Sequence, residues 1–199
     1  MKKRVVSLLT RIRNRLTSKI CAISIDKEKT LTVCPVFSAE KFFMPEMREF
    51  KDKDAKIFEG YQKDIPELNL FLLKGGKCIV GNEEVFTVNN RVIGEITSQE
   101  SNPMVGQRVS KIRKYKKYDG KVLHLSLSGL ENNYYHFNVE FLGRWFLFKE
   151  ANIEVDWIIF PQNNLFQRQF LELLDLDPRK LISENGLVVQ ADVLVVPQL

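Results

Sequence analysis

The sequence predicts an α/β chain, α+β overall, in which an amino-terminal antiparallel β unit precedes a partial α/β domain. From Cys21 to about Ile96, short apolar runs (AISI, TLTVCPVF, LNLFLL, KCIV, EVFTV, RVIGEI) alternate with Lys, Asp, Gly and Asn clusters, as strands alternate with turns. From Val122 onward, strand-like and helix-like segments alternate, which implies βαβ units and a parallel sheet. The longest helix-like segment, Asn132 to Glu150, is apolar nearly all the way round.

The first element is a leader over residues 1–20. It carries Lys2, Lys3, Arg4, Arg11, Arg13, Arg15 and Lys19 without one acid, so the net charge of +5 is concentrated there. Val5, Leu8, Leu9, Ile12, Leu16 and Ile20 recur at helical spacing, which predicts a basic amphipathic helix suited to an anionic membrane surface. VVSLL is too short for the core of a secretory signal. No apolar run approaches the roughly 20 residues a membrane helix needs. The expected place is cytoplasmic and peripheral at the inner face of the membrane.

The β unit spans residues 21–107. Within it, Lys51 to Pro66 is charged and irregular, while KGGK (Lys74 to Lys77) and VNNR (Val88 to Arg91) read as hairpin turns, the second with Asn-Asn able to take positive φ. A loop at Ser101 to Pro103 leads to the basic run from Arg108 to Tyr118. That run has no nucleic-acid module around it and reads as a solvated connection, so no nucleic-acid partner is expected.

Residues 108–199 form the α/β portion: strand VLHLSLS, the Asn132 to Glu150 helix, strand DWIIF ended by Pro161, amphipathic helix NLFQRQFLELLDL, then strands LVVQ and VLVV. So few strands make an incomplete α/β domain, expected to be truncated at its carboxyl end.

Function is sought on the long helix. At about 100° per residue, Asn133, His136, Glu140 and Arg144 fall within a stripe about 80° wide, with Phe137, Phe141, Leu142, Trp145, Phe146 and Phe148 around the rest. An apolar helix of this kind is expected to be buried, with its polar stripe aimed at something polar. An amide, an imidazole, a carboxylate and a guanidinium in one file can grip a hydroxylated ligand and move a proton. The competing reading is a self-satisfied network in which Glu140 pairs with Arg144 and His136 packs. His124, mid-strand, reads as a core histidine with a hydrogen bond.

Several chemistries are excluded. Cys21, Cys34 and Cys78 are an odd set without C-x-x-C spacing, which argues for a reducing compartment and against a zinc site, and no metal ligands are assigned. SLSGLEN has one glycine and no GK[ST] occurs, so neither common phosphate loop is present. G-x-S-x-G is absent.

The run from VLHLSLSGLENNYYHFNVEFLGRWF to ADVLVVP resembles the amino-terminal half of the family 61 glycosyltransferases, capsular polysaccharide biosynthesis proteins marked by N-Y-x-H-W followed by an acid and P-R. Asn133, Tyr134, His136, Glu140 and Arg144 match, while Phe137 replaces Trp and Gly143 replaces Pro. The resemblance covers roughly Ile65 to Pro197. It implies a partial Rossmann-like α/β domain, as in the first half of a GT-B enzyme, and inverting sugar transfer without a bound metal or resident cofactor. The implied partners are a nucleotide sugar donor and a carbohydrate acceptor. The implied catalytic residues are His136 and Glu140, with the choice of base between them open, and the substrate-binding residues are Asn133, Tyr134 and Arg144. The donor-binding half has no counterpart in these 199 residues, so only the acceptor side is expected here. The alternative is a non-catalytic glycan-binding or scaffold domain of the same fold.

Overall fold

A computed structural model describes residues 22–43, 62–94, 96, 114–127 and 130–198. The expected leader, the Ser101 to Pro103 loop, most of the charged segment after Lys51 and residues 108–113 of the basic run lie outside the described residues.

In chain order the strands are β1 (Ala22–Ile23), β2 (Leu31–Phe37), β3 (Glu40–Phe43), β4 (Gln62–Ile65), β5 (Leu68–Lys74), β6 (Lys77–Ile79), β7 (Val85–Phe86), β8 (Val92–Ile93), β9 (Lys116–His124), β10 (Trp157–Ile159), β11 (Leu181–Ile182) and β12 (Val188–Pro197). Helix α1 runs without a break through Tyr134–His136, Phe137–Phe141 and Leu142–Glu150, and α2 is Leu165–Leu173. Strands β3 and β4 pair only with each other, and the remaining ten share one sheet. Among the described residues the protein is mixed α/β, mostly sheet with few helices.

Strands β9, β10, β11 and β12 are mutually parallel and lie in the order β11-β10-β9-β12, with α1 linking β9 to β10 and α2 linking β10 to β11. The strand order therefore reverses beside β9. The link into β12, residues 183–187, contains no helix and is held to Val80 by hydrogen bonds through Gly186 and Leu187. On its other edge β12 pairs antiparallel with β5 and β6, so one sheet joins the two portions of the chain.

Lys74–Lys77 differs from its expectation as a hairpin turn. Lys74 faces Val193 and Lys77 faces Gln190, a step of three on both strands, so β5 and β6 keep one register along β12. Gly75 and Gly76 bend this edge without reversing it. Gly75 takes φ +64 and donates to the Asp192 carbonyl at 2.9 Å. A Cβ on Gly76 would stand 2.8 Å from Leu194 Cβ, so the strands approach too closely there for a side chain. The Val88 to Arg91 segment does turn, with Asn90 at φ 62 and its N–H bonded to Thr87. β9 bends at the same level: its register with β12 slips between Ala191 and Val193, and Gly120 N–H donates to the Asp192 carboxylate at 2.9 Å.

Side chains alternate between two cores, as the two-residue period of a strand requires. Val122, Ile159, Ile182, Leu194 and Val196 pack with Ile23, Val80, Val85 and Ile93 from the curled end of the sheet. Their neighbours Leu123, Ile158 and Val195 pack on the other face against Phe137, Phe141, Trp145 and Phe148 of α1. Phe137 and Phe141 are fully buried with rings stacked 4.8 Å apart, and each burial contributes about 2–3 kcal/mol. The helix is nonetheless not buried all round, as its composition suggested. It lies on one sheet face, and Tyr134, Tyr135, Val139 and Phe146 are each more than half exposed. Among the described residues no helix is long and apolar enough to cross a membrane.

Candidate functional site

The loop from β9 to α1 is fastened at both ends. Glu131 accepts from Leu127 N–H at 3.1 Å, and its carbonyl accepts from the Gln167 amide at 2.8 Å. Asn163 and Asn164 donate to Asn132 at 3.1 and 3.2 Å. Asn164 and Gln167 also form a reciprocal capping box that starts α2. The amino end of α1 is thus tied to the amino end of α2.

On that platform Asn133 is the N-cap of α1, its side chain accepting from Tyr135 N–H at 2.9 Å. Tyr134 is exposed and sets its ring edge against Phe166 at 5.4 Å. His136 Nδ1 and Glu140 Oε1 are 2.8 Å apart, with the two side chains 31% and 33% exposed. Arg144 turns the other way. It is buried, and its Nη1 donates to the Ser126 carbonyl at 2.7 Å. Desolvation lowers its pKa, against the pull of the Glu83, Glu140 and Glu131 carboxylates.

Of the expected stripe, then, the structure brings His136 and Glu140 into contact, leaves Asn133 at the cap, and sends Arg144 inward. The backbone explains the split. Over Phe137–Phe141 the helix takes π geometry, and Leu142 N–H bonds to the Phe137 carbonyl five residues back. A π turn holds about one residue more than an α turn, so positions beyond it are rotated by roughly 100° from where the spacing puts them. Glu140 bonds to His136, and among the described residues it forms no ion pair with Arg144.

No family model, no curated protein and no solved structure matches this chain. Chemistry has to be read from the site itself. With Glu140 accepting a hydrogen bond from Nδ1–H, the imidazole keeps its lone pair on Nε2, the arrangement of an oriented general base. Among the described residues no three His, Cys, Asp or Glu side chains are grouped to hold a metal. Asp175 and Asp177 have Asp-x-Asp spacing. The Asp177 carboxylate is held by Arg179, whose side chain and backbone N–H both bond to it and bring its pKa down to about 2.

His124 is buried, as expected of a core histidine, yet neither ring nitrogen has a hydrogen-bond partner of ordinary geometry. Desolvation and the nearby Arg144 charge push its pKa down to about 3 against a weaker pull from the Glu83 backbone, so it is neutral. Beside it, at the carboxyl ends of β9, β10 and β11, lies a small crevice of about 30 Å³ lined by Ser126, Asn132, Asn163, Ser183 and Asn185 among others. Sequence reasoning missed its amides. For Asn163 and Asn164 the available signal was the Asn-x-x-Gln capping box; for Ser183 and Asn185 there was none.

Proposed function

We propose that this chain is the acceptor-side half of an inverting, metal-independent glycosyltransferase that takes a sugar from a nucleotide donor in surface or capsular polysaccharide synthesis. The observation that carries the proposal is the partly exposed His136–Glu140 pair, 2.8 Å apart, in residues that match the family 61 pattern. It sits on the helix that follows β9, beside which the strand order reverses, and open α/β sheets bind ligands where strand order reverses. The order β11-β10-β9-β12 supports the Rossmann-like part of this reading, although no helix crosses between β11 and β12.

In this mechanism Glu140 holds the Nδ1 proton and His136 Nε2 accepts the proton of an acceptor hydroxyl. The hydroxyl oxygen forms a bond to the anomeric carbon as the carbon–oxygen bond to the donor phosphate breaks, and the nucleotide leaves with those electrons. Asn133 and Tyr134 border the acceptor. Arg144 acts from behind by fixing the end of β9. The basic leader at residues 1–20 holds the protein at an anionic membrane surface.

A second reading, a non-catalytic glycan-binding domain, is favoured by the exposed rings of Tyr134 and Tyr135 next to His136 in sequence, since aromatic faces stack on sugars. Incubation of the full reading frame with a panel of nucleotide sugars and glycan acceptors, followed by mass spectrometry, separates the two. Product that is lost in His136→Ala supports transfer. Glycan binding without donor consumption from any member of the panel supports the second reading.

A further inference from the structure

A groove of about 560 Å³ lies away from the His136–Glu140 pair, between the last turn of α1 and the start of β10. That volume is within the range of small-molecule sites. Phe148, Ile153 and Val155 give it an apolar floor. Three lysines from three different elements converge on it: Lys121 from β9, Lys149 from α1 and Lys180 from the short turn Pro178–Lys180.

None of these three amines forms an ion pair with a carboxylate among the described residues. The carbonyls at the end of α1 favour a cation in its last turn, which accounts for Lys149 alone. Two carboxylates, Glu154 and Asp156, share the lining with them, and Asp156 also accepts from the Lys121 backbone N–H at 2.8 Å. The three lysines outnumber the two carboxylates of the lining, so its charge favours an anion.

We infer that this groove binds a phosphate or diphosphate group carried on an apolar body, with Lys121, Lys149 and Lys180 around the anion and Phe148, Ile153 and Val155 under the apolar part. Lysine serves as a point charge for phosphate. The same chemistry is offered by a soluble organic phosphate and by the headgroup of an anionic lipid. The site is separate from the proposed transfer centre, and its failure would leave that proposal untouched.

The test uses the full chain. Sodium pyrophosphate is titrated while tryptophan fluorescence is followed, because Trp145 lies under the Lys149 amine at 5.8 Å and Trp157 adjoins Asp156. The expected result is a saturable change, weakened by salt. Lys121→Gln and Lys180→Gln should each raise the apparent Kd roughly tenfold, and Glu154→Gln should lower it roughly threefold. Lys29→Gln, an exposed lysine outside the groove, should leave it unaltered. A second arm compares flotation of the wild type and the Lys121→Gln/Lys180→Gln protein with phosphatidic acid vesicles, which cancels any contribution from the leader. Saturable pyrophosphate binding assigns a soluble phosphate, and a variant-sensitive response to vesicles alone assigns the lipid headgroup; both support the site. The inference is overturned if neither probe distinguishes wild type from the double variant, or if Lys29→Gln weakens binding as much as the groove variants do.

Discussion

Glu140 Oε1 meets His136 Nδ1 at 2.8 Å across the one stretch of α1 whose backbone takes π geometry, so a local change of helical pitch separates the pair from Arg144. Both side chains of the pair are about one-third exposed, whereas the guanidinium is buried. The two halves of the expected stripe should therefore respond differently to mutation.

If the proposed transfer activity holds, His136→Ala in a complete enzyme carrying this half should lower turnover by roughly a hundredfold or more, the scale of a lost general base, while unfolding free energy changes by under about 1 kcal/mol. Glu140→Gln should keep the ring in place but weaken its orientation, with a smaller loss. Steady-state rates beside denaturant melts check both. A large melting loss with unaltered rate per folded molecule would return the pair to a packing role.

Arg144→Met should destabilise the fold by about 3–5 kcal/mol, because it removes the donor to Ser126 and leaves carboxylates without their buried counter-charge. Urea titration reads this directly. A cost under about 1 kcal/mol would mean that the cluster is far wetter than its burial implies.

Stability should fall on mild acidification through His124. Burial and the Arg144 charge hold its folded pKa at about 3, below the ordinary 6.5 of a histidine. Below pH 6.5 the unfolded chain therefore binds a proton that the folded chain refuses, and stability is lost as pH drops from 6.5 toward 3. Between pH 6.5 and 5 the loss is about 2 kcal/mol. In His124→Leu that portion of the pH dependence should disappear, as measured by melts at both pH values. An identical slope in the variant would exclude this histidine as the cause.

Gly76→Ala should cost about 1–3 kcal/mol by overpacking, since the new methyl would press on Leu194 and Leu73 in the core. Chemical denaturation checks the cost. A neutral result would show that β5 and β12 can part without loss.

The strands around Val122 and Ile158 and the long helix were legible because their periodicity is set by local burial on one or two faces. The π turn was not, since α and π turns draw on the same residue types and the choice falls to packing around Phe137 and Phe141. Gly75-Gly76 misled for a related reason: positive φ suits a tight turn, but it equally suits a bend within a continuous edge. The pairing of β5 and β6 with β12 joins residues more than a hundred positions apart, and no local pattern records such a partner. At the site, the contact of His136 with Glu140 was readable from their spacing of four. The anchoring of Asn132 by Asn163 and Asn164 belongs to tertiary structure alone.

β12 lies inside the sheet and bonds to β5, β6 and β9, although its residues, Val188–Pro197, are near the end of this sequence. A ribosome translating this chain releases nine strands of the sheet before their central member exists. Until Val188–Pro197 emerges, the edges of β9 and β5 that β12 will cover are open to pairing with other chains. Completion of the sheet must wait for β12, and its long-range contacts make that closing step slow. Premature stop codons ahead of Val188 should therefore yield aggregates in place of smaller folded proteins, and nascent chains should depend on chaperones until the last strand is in place.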